Sequence, residues 1–279
     1  MTFSLGFSPC PNDTFIFDAL VNKKIDTEGL DFDIVLDDVQ TLNNWAQEGR
    51  LDFSKISYGA LPLLLEQYVV LESGGALGMG VGPLLLAKEP MALDNVPAGT
   101  IAIPGKDTTA HLLFSLAFPG ARNKEFVVFN EVEDFVLDGK GLGVIIHENR
   151  FTYQKRGLHK LMDLGDYWEK TTGVPIPLGG IIAKTILPKE TILQVNRLIR
   201  KSIEYAYVHH STQLADFVKI HAQEMEEAVM RQHIDLYVNR FSLSLGEKGR
   251  KAIHQVLDVY QGLHPDRTVD RDKIFAEDL

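Results

Sequence analysis

The chain has 279 residues, 45% hydrophobic and 24% charged, values of an ordinary globular protein that exclude a disordered or fibrous chain. Its 28 Lys and Arg stand against 38 Asp and Glu, and the resulting net charge of −10 disfavours a phosphate backbone and excludes nucleic acid as the main partner. A lone cysteine, Cys10, excludes an internal disulfide and a thiolate metal cluster, and its plainest role is that of a small buried hydrophobe.

The first residues, Met1-Thr2-Phe3-Ser4, contain no basic segment followed by an apolar one, so no secretory signal and a cytoplasmic protein are expected. A strand over Phe3 to Phe7 leads into Ser8-Pro9-Cys10-Pro11-Asn12-Asp13 and then an apolar helix with Phe15, Ile16, Ala19 and Leu20. Asn12 or Asp13 can cap that helix, whose N-terminus then faces the carboxyl edge of the sheet and attracts an anion or a carbonyl oxygen. Ser8 and Asn12 are therefore candidate ligand contacts, with plain capping as the alternative.

Further strands are expected at Phe32 to Leu36, Phe53 to Ser57 and Val69 to Glu72. The third strand ends in Lys55-Ile56-Ser57-Tyr58-Gly59, which puts a hydroxyl at the same edge. A nucleophile elbow needs glycine where Lys55 stands, so Ser57 reads as a hydrogen-bond donor or a helix cap. The window from Gly74 to Ala87 is the most apolar, yet its 14 residues hold five glycines, too short and flexible for a membrane span. No glycine sits three residues after Gly80, and Pro83 would interrupt a following helix, so no dinucleotide cofactor is expected.

After strands at Leu84 to Ala87 and Thr100 to Ile103 comes Gly105-Lys106-Asp107-Thr108-Thr109-Ala110 and a helix with Leu112, Leu113 and Leu116. The hydroxyls of Thr108 and Thr109 beside free first-turn N–H groups make a carboxylate site, or simply a cap. Strands at Val127 to Phe129, Leu142 to Ile146 and Leu178 to Ala183 follow. The run Val144-Ile145-Ile146 suits a strand buried on both faces, and His147 stands at its carboxyl end, where open α/β sheets bind ligands. His147 is the candidate general base, the alternative being a strand-end histidine bonded to backbone or solvent.

His147-Glu148-Asn149-Arg150-Phe151 begins like a zinc-protease helix but lacks the second histidine, and no metal site is expected. From Pro188 the pattern turns to period 3.6, as in Ile192, Val195, Ile199 and Ile203, so the last third is helical. The earlier alternation predicts an α/β fold with parallel sheets. Pro90 and Pro97, and the segment 175–180, mark passages between two lobes: a first lobe of 1–89 and 177–279, and an inserted lobe of 90–176. Two crossings with a cleft between them describe a hinged ligand clamp.

The segments SPCPNDTF, GGALGMGVGPL, GKDTTA, IIHENRFTY and YVNRFS, in order and with matching spacing from Leu5 to about Ser244, resemble the 1,4-dihydroxy-6-naphthoate synthase family of the futalosine route to menaquinone. That resemblance implies a two-lobed, type II periplasmic-binding-protein-like fold with the ligand cleft between its lobes, used as a cytoplasmic, cofactor-independent lyase. It implies cleavage of cyclic dehypoxanthinyl futalosine, an aromatic carboxylate, to 1,4-dihydroxy-6-naphthoate and a three-carbon dihydroxyacetone fragment. It further implies that His147 is the base and that Lys55, Ile56, Ser57, Thr108 and Thr109 contact substrate. The chorismate dehydratase of the same pathway and fold, and a solute-binding protein, are the alternatives. SPCPNDTF and the IIHE segment favour the naphthoate synthase, and the expected lack of a secretion signal disfavours the solute-binding protein.

Overall fold

The computed structural model describes residues 1–147, 149–222 and 226–279. The chain first lays down β1 (Thr2–Phe7), β2 (Asp31–Leu36), β3 (Phe53–Ser57), β4 (Tyr68–Val70) and β5 (Ala76–Gly78), with α1 (Pro11–Val21) and α2 (Val39–Gln47) as crossovers. It then crosses to β6 (Leu84–Ala87), β7 (Ile101–Ile103), β8 (Lys124–Phe126), β9 (Leu142–Ile145) and β10 (His159–Asp163). This part carries α3 (Thr109–Ala117), α4 (Val132–Leu137), α5 (Asn149–Thr152) and α6 (Leu164–Thr172). The long strand β11 (Ile176–Lys184) returns, and α7 (Lys189–His209), α8 (Asp216–His221), α9 (Glu227–Tyr237), α10 (Arg240–Leu243) and α11 (Gly246–Leu263) follow.

These strands form two sheets, one ordered β2-β1-β3-β11-β4 with β5 also on β11, the other β10-β6-β9-β7-β8. Pairs joined through a helix are parallel: β1 with β2 and β3, and β7 with β8 and β9. The sheets are nevertheless mixed, because β11 runs antiparallel to β3, β4 and β5, and β6 antiparallel to β9 and β10. Strands re-entering from the opposite lobe need not keep the direction that a crossover helix imposes.

The strand Leu84–Ala87, placed in the first lobe by its position before Pro90, pairs with β9 and β10 in the second sheet. A wholly apolar strand fits the interior of either sheet, so its composition does not choose between them. The chain thus leaves the first sheet after Gly78, and Pro90 and Pro97 flank a loop already inside the second lobe. At this crossing Gly82 lies against Gly165: a Cβ added to Gly82 would fall 2.3 Å from the Gly165 Cα. Arg150 ties the same segment down, donating to the carbonyls of Gly80, at 2.9 Å, and Gly82, and pairing with Asp163 at 3.0 Å. The expected strand at Val127 to Phe129 also lies three residues early, over Lys124–Phe126. That strand is a sheet edge with a mostly solvated surface, so hydrophobicity does not mark it.

Local signals account for the helix starts. Asp38, Thr108 and Asp163 each accept backbone N–H bonds at the first turns of α2, α3 and α6, and Gly173 ends α6 in the left-handed region at φ +70°. Ile192, Val195, Ile199 and Ile203 of α7 are fully buried against α1, and Ser202 on the same stripe donates to the Ile16 carbonyl at 2.6 Å. No described helix is long and apolar enough to cross a membrane.

Candidate functional site

A cleft between the lobes, with about 700 Å³ of empty space, takes residues from the first sheet, from the turns before β6 and after β9, and from α9. Ser8 and Asn12 reach it from the end of β1 and the start of α1, and Lys55, Ile56 and Ser57 from β3. Thr108 and Thr109 come from the start of α3, and His147 from the turn after β9. All the residues singled out from the sequence therefore meet in one place.

The first-lobe wall is a polar network in a buried setting. Lys55 Nζ pairs with Asp13 Oδ1 at 2.8 Å, with the two side chains 6% and 2% exposed. Asp13 also accepts from the Ser8 hydroxyl at 2.7 Å, the Ser8 N–H at 3.2 Å and the Asn12 amide at 2.8 Å. Neither Asn12 nor Asp13 caps α1: Pro11 occupies the first turn and Cys10 is the N-cap residue, without a side-chain cap bond. The helix starts two residues earlier than a cap at Asn12 requires, so both polar side chains are spent on the cleft wall.

The wall formed by α3 is more occupied by its own protein than the sequence suggests. Thr108 donates to the Gly105 carbonyl at 3.0 Å and accepts from the His111 N–H at 3.2 Å, the work of a cap. Thr109 donates to the Leu178 carbonyl at 2.8 Å and accepts from the Gly59 N–H at 3.1 Å, while its own N–H donates to Ser57 Oγ at 2.7 Å. These bonds join α3 to β3 and β11 across the lobes. Gly59 has to be glycine here, since a Cβ would lie 2.3 Å from the Thr108 carbonyl carbon. With the Thr109 and His111 N–H groups engaged, Ala110 is the remaining first-turn residue of α3 that lines the cleft.

His147 has a left-handed backbone, φ +57°, which costs a non-glycine residue about 1 kcal/mol. Its ring is gripped from several sides. Cys10 Sγ lies 3.7 Å from Nδ1, Phe129 meets the ring edge-on at 5.1 Å, and the His233 ring lies 6.0 Å away at 19°. Glu148, the last residue of the IIHE segment, lies outside the described residues.

His233 and Tyr237 also line the cleft and were not identified from the sequence. His233 is fully buried, its Nε2 bonds Asn12 Oδ1 at 2.8 Å, and burial holds it well below the usual histidine range, the charges of His147 and Lys55 adding to the effect. The available signal was weak: His233 falls on the apolar stripe Met230, Ile234, Tyr237 of α9, where a histidine is buried rather than solvated.

A family model described as menaquinone biosynthesis matches residues 3–261. The 1,4-dihydroxy-6-naphthoate synthase of Thermus thermophilus is 45% identical over 251 residues, 89% of this chain and 90% of that protein. The protein of the same name from Streptomyces coelicolor is 43% identical over 262 residues, 92% of each chain. Among solved structures, a protein from Archaeoglobus fulgidus matches with a TM-score of 0.86 at 27% identity, over 94% of this chain and 97% of that one. The alkanesulfonate-binding protein of Xanthomonas axonopodis pv. citri, bound to MOPS, matches with a TM-score of 0.71 at 14% identity, over 99% and 97% of the chains, a likeness of fold alone. With its two-lobed fold of the periplasmic ligand-binding type and nearly its whole length covered by these matches, the chain belongs to the menaquinone-biosynthesis family that includes the 1,4-dihydroxy-6-naphthoate synthases.

Proposed function

We propose that this chain is the lyase that converts cyclic dehypoxanthinyl futalosine to 1,4-dihydroxy-6-naphthoate and a three-carbon dihydroxyacetone fragment, in the cytoplasm, with His147 as general base. The observation that carries this reading is the placement of His147: a histidine held in a left-handed turn, between Cys10 and Phe129, at a cleft that also gathers Ser8, Asn12, Lys55, Ile56, Ser57, Thr108 and Thr109. Strained backbone of this kind persists where the surroundings over-determine it, commonly at functional sites.

Nδ1 lies against the Cys10 sulfur, so Nε2 is the nitrogen we assign to proton transfer. It takes a proton from a substrate hydroxyl or carbon, and the electron pair left behind drives scission of the carbon–carbon bond. Formation of the aromatic naphthoate supplies the driving force, and a base near neutrality suffices for the proton step. The substrate carboxylate docks at the first turn of α3, where the Ala110 N–H and the helix dipole favour an anion, and Thr108 and Thr109 hold that turn in place. Val81, Pro83 and Ile146 offer apolar surface to the ring.

The purified chain should release 1,4-dihydroxy-6-naphthoate from the cyclic substrate, followed by its absorbance and by mass. Tight binding of the substrate without turnover would instead point to a solute-binding protein, and turnover of chorismate to the dehydratase of the same fold.

A further inference from the structure

The cleft holds a second imidazole that the proposed proton transfer does not use. His233 stands on α9 in the first lobe, packed against Tyr237 with ring centroids 4.6 Å apart. Its proton is placed by a chain of forced donors. Asp13, paired with Lys55, can only accept, so the Asn12 nitrogen, 2.8 Å from Asp13 Oδ1, is the donor of that bond. The Asn12 oxygen is thereby turned to His233, and Nε2, at 2.8 Å, must carry the hydrogen. The series Lys55, Asp13, Asn12, His233 runs without a break from β3 to α9.

His147 arrives from the other lobe, on the turn after β9. On the first-lobe side its ring meets Cys10 Sγ and the His233 ring, which is nearly parallel to it at 19°. We propose that His233 is a positioning residue for His147: anchored by Asn12 on the first lobe, its ring is the surface against which the second lobe sets the His147 ring. The proposal rests on the reading of His147 as the base. Among the groups facing His233 are the Asn12 amide at the start of α1, Lys55 on β3, Tyr237 on its own helix and His147 itself. Burial, with the charges of His147 and Lys55, keeps His233 neutral, so the pair presents one imidazole that takes a proton and one that does not. Histidine meets both demands of this position: phenylalanine would keep the ring face but abandon the Asn12 oxygen, and glutamine would keep the donor but lose the ring.

His233→Gln separates the two, since the buried bond to Asn12 survives. Misplacing a reacting group by about 1 Å costs on the order of 10²-fold, so kcat per folded molecule should fall by about 10- to 100-fold while KM stays within about threefold. The His147 ring is read directly by NMR on histidine labelled at Cε1, its signal identified by its loss in His147→Gln. In His233→Gln that signal should shift or broaden. A parent-like kcat, or an unmoved His147 signal, overturns the proposal. If His147→Gln itself turns over normally, the base reading fails, and the NMR signal alone then decides the positioning. Should His233→Gln not fold, Asn12→Ser, which shortens the anchor, is read by the same two measurements.

Discussion

Replacing Asp13 with Asn strands a buried ammonium, and the structure makes the cost of that change asymmetric. Asp13 has four donors: Lys55 Nζ at 2.8 Å, the Ser8 hydroxyl at 2.7 Å, the Ser8 N–H at 3.2 Å and the Asn12 amide at 2.8 Å. Lys55 has the Asp13 carboxylate and one long contact, to the Gly74 carbonyl at 3.3 Å. In Lys55→Met the carboxylate keeps three neutral hydrogen bonds, and the expected loss is that of a weakened buried polar group, about 1 to 3 kcal/mol. In Asp13→Asn the ammonium keeps the Gly74 carbonyl and at best one neutral amide oxygen but loses its counter-charge, and breaking a buried pair in this way costs about 3 to 5 kcal/mol. The double variant removes both charges and should recover about 1 to 3 kcal/mol of the summed single losses, as contacting residues do. Urea unfolding followed by circular dichroism at neutral pH measures all four proteins, with an unchanged denaturant slope as the check that unfolding stays comparable. Equal losses in the two single variants, or strict additivity in the double, would refute the argument that Lys55 depends on Asp13 more than Asp13 depends on Lys55.

Removing the His147 side chain should cost about 10²- to 10⁴-fold in turnover. His147→Gly should do so while gaining up to about 1 kcal/mol in stability over His147→Ala, because glycine accepts φ +57° without strain; turnover within tenfold of the parent removes His147 from the base role. Thr108→Val should destabilise by about 0.5 to 2 kcal/mol as a lost cap, with product affinity by calorimetry little changed per folded molecule, whereas a direct hydroxyl contact to the carboxylate would instead weaken binding. Burial, with Lys124 adding to it, lowers His111 to about 4 from an unfolded value of 6.5. The unfolded chain therefore binds its proton first as pH falls, so stability drops between those two values and is fully forfeited below the lower one; His111→Gln should flatten that part of the stability profile. Turnover should survive exhaustive chelation and dialysis, and its restoration by added zinc or magnesium would count against a base acting alone.

Local pattern determined a good deal of this protein. The period of 3.6 in Ile192, Val195, Ile199 and Ile203 marked a buried helical face, because the burial of such a stripe depends only on helix geometry. That the run ending at His147, Ser57 and the Thr108 turn would border the cleft was legible because the carboxyl ends of strands in α/β sheets open onto a crevice, whatever the partner strands are. Tertiary structure alone decided the rest. Leu84–Ala87 is apolar on both faces, so the choice of sheet lay with its partners β9 and β10 and with the close packing of Gly82 on Gly165. The Thr108 and Thr109 hydroxyls were available on paper, and the carbonyls of Gly105 and Leu178 took them. His233 lies 221 residues from the Asn12 that anchors it, and the His147 ring beside it comes from the other lobe. A hydrogen bond over that separation leaves no periodic trace in either segment, since what joins the two is the packing of α9 against α1 in the folded first lobe.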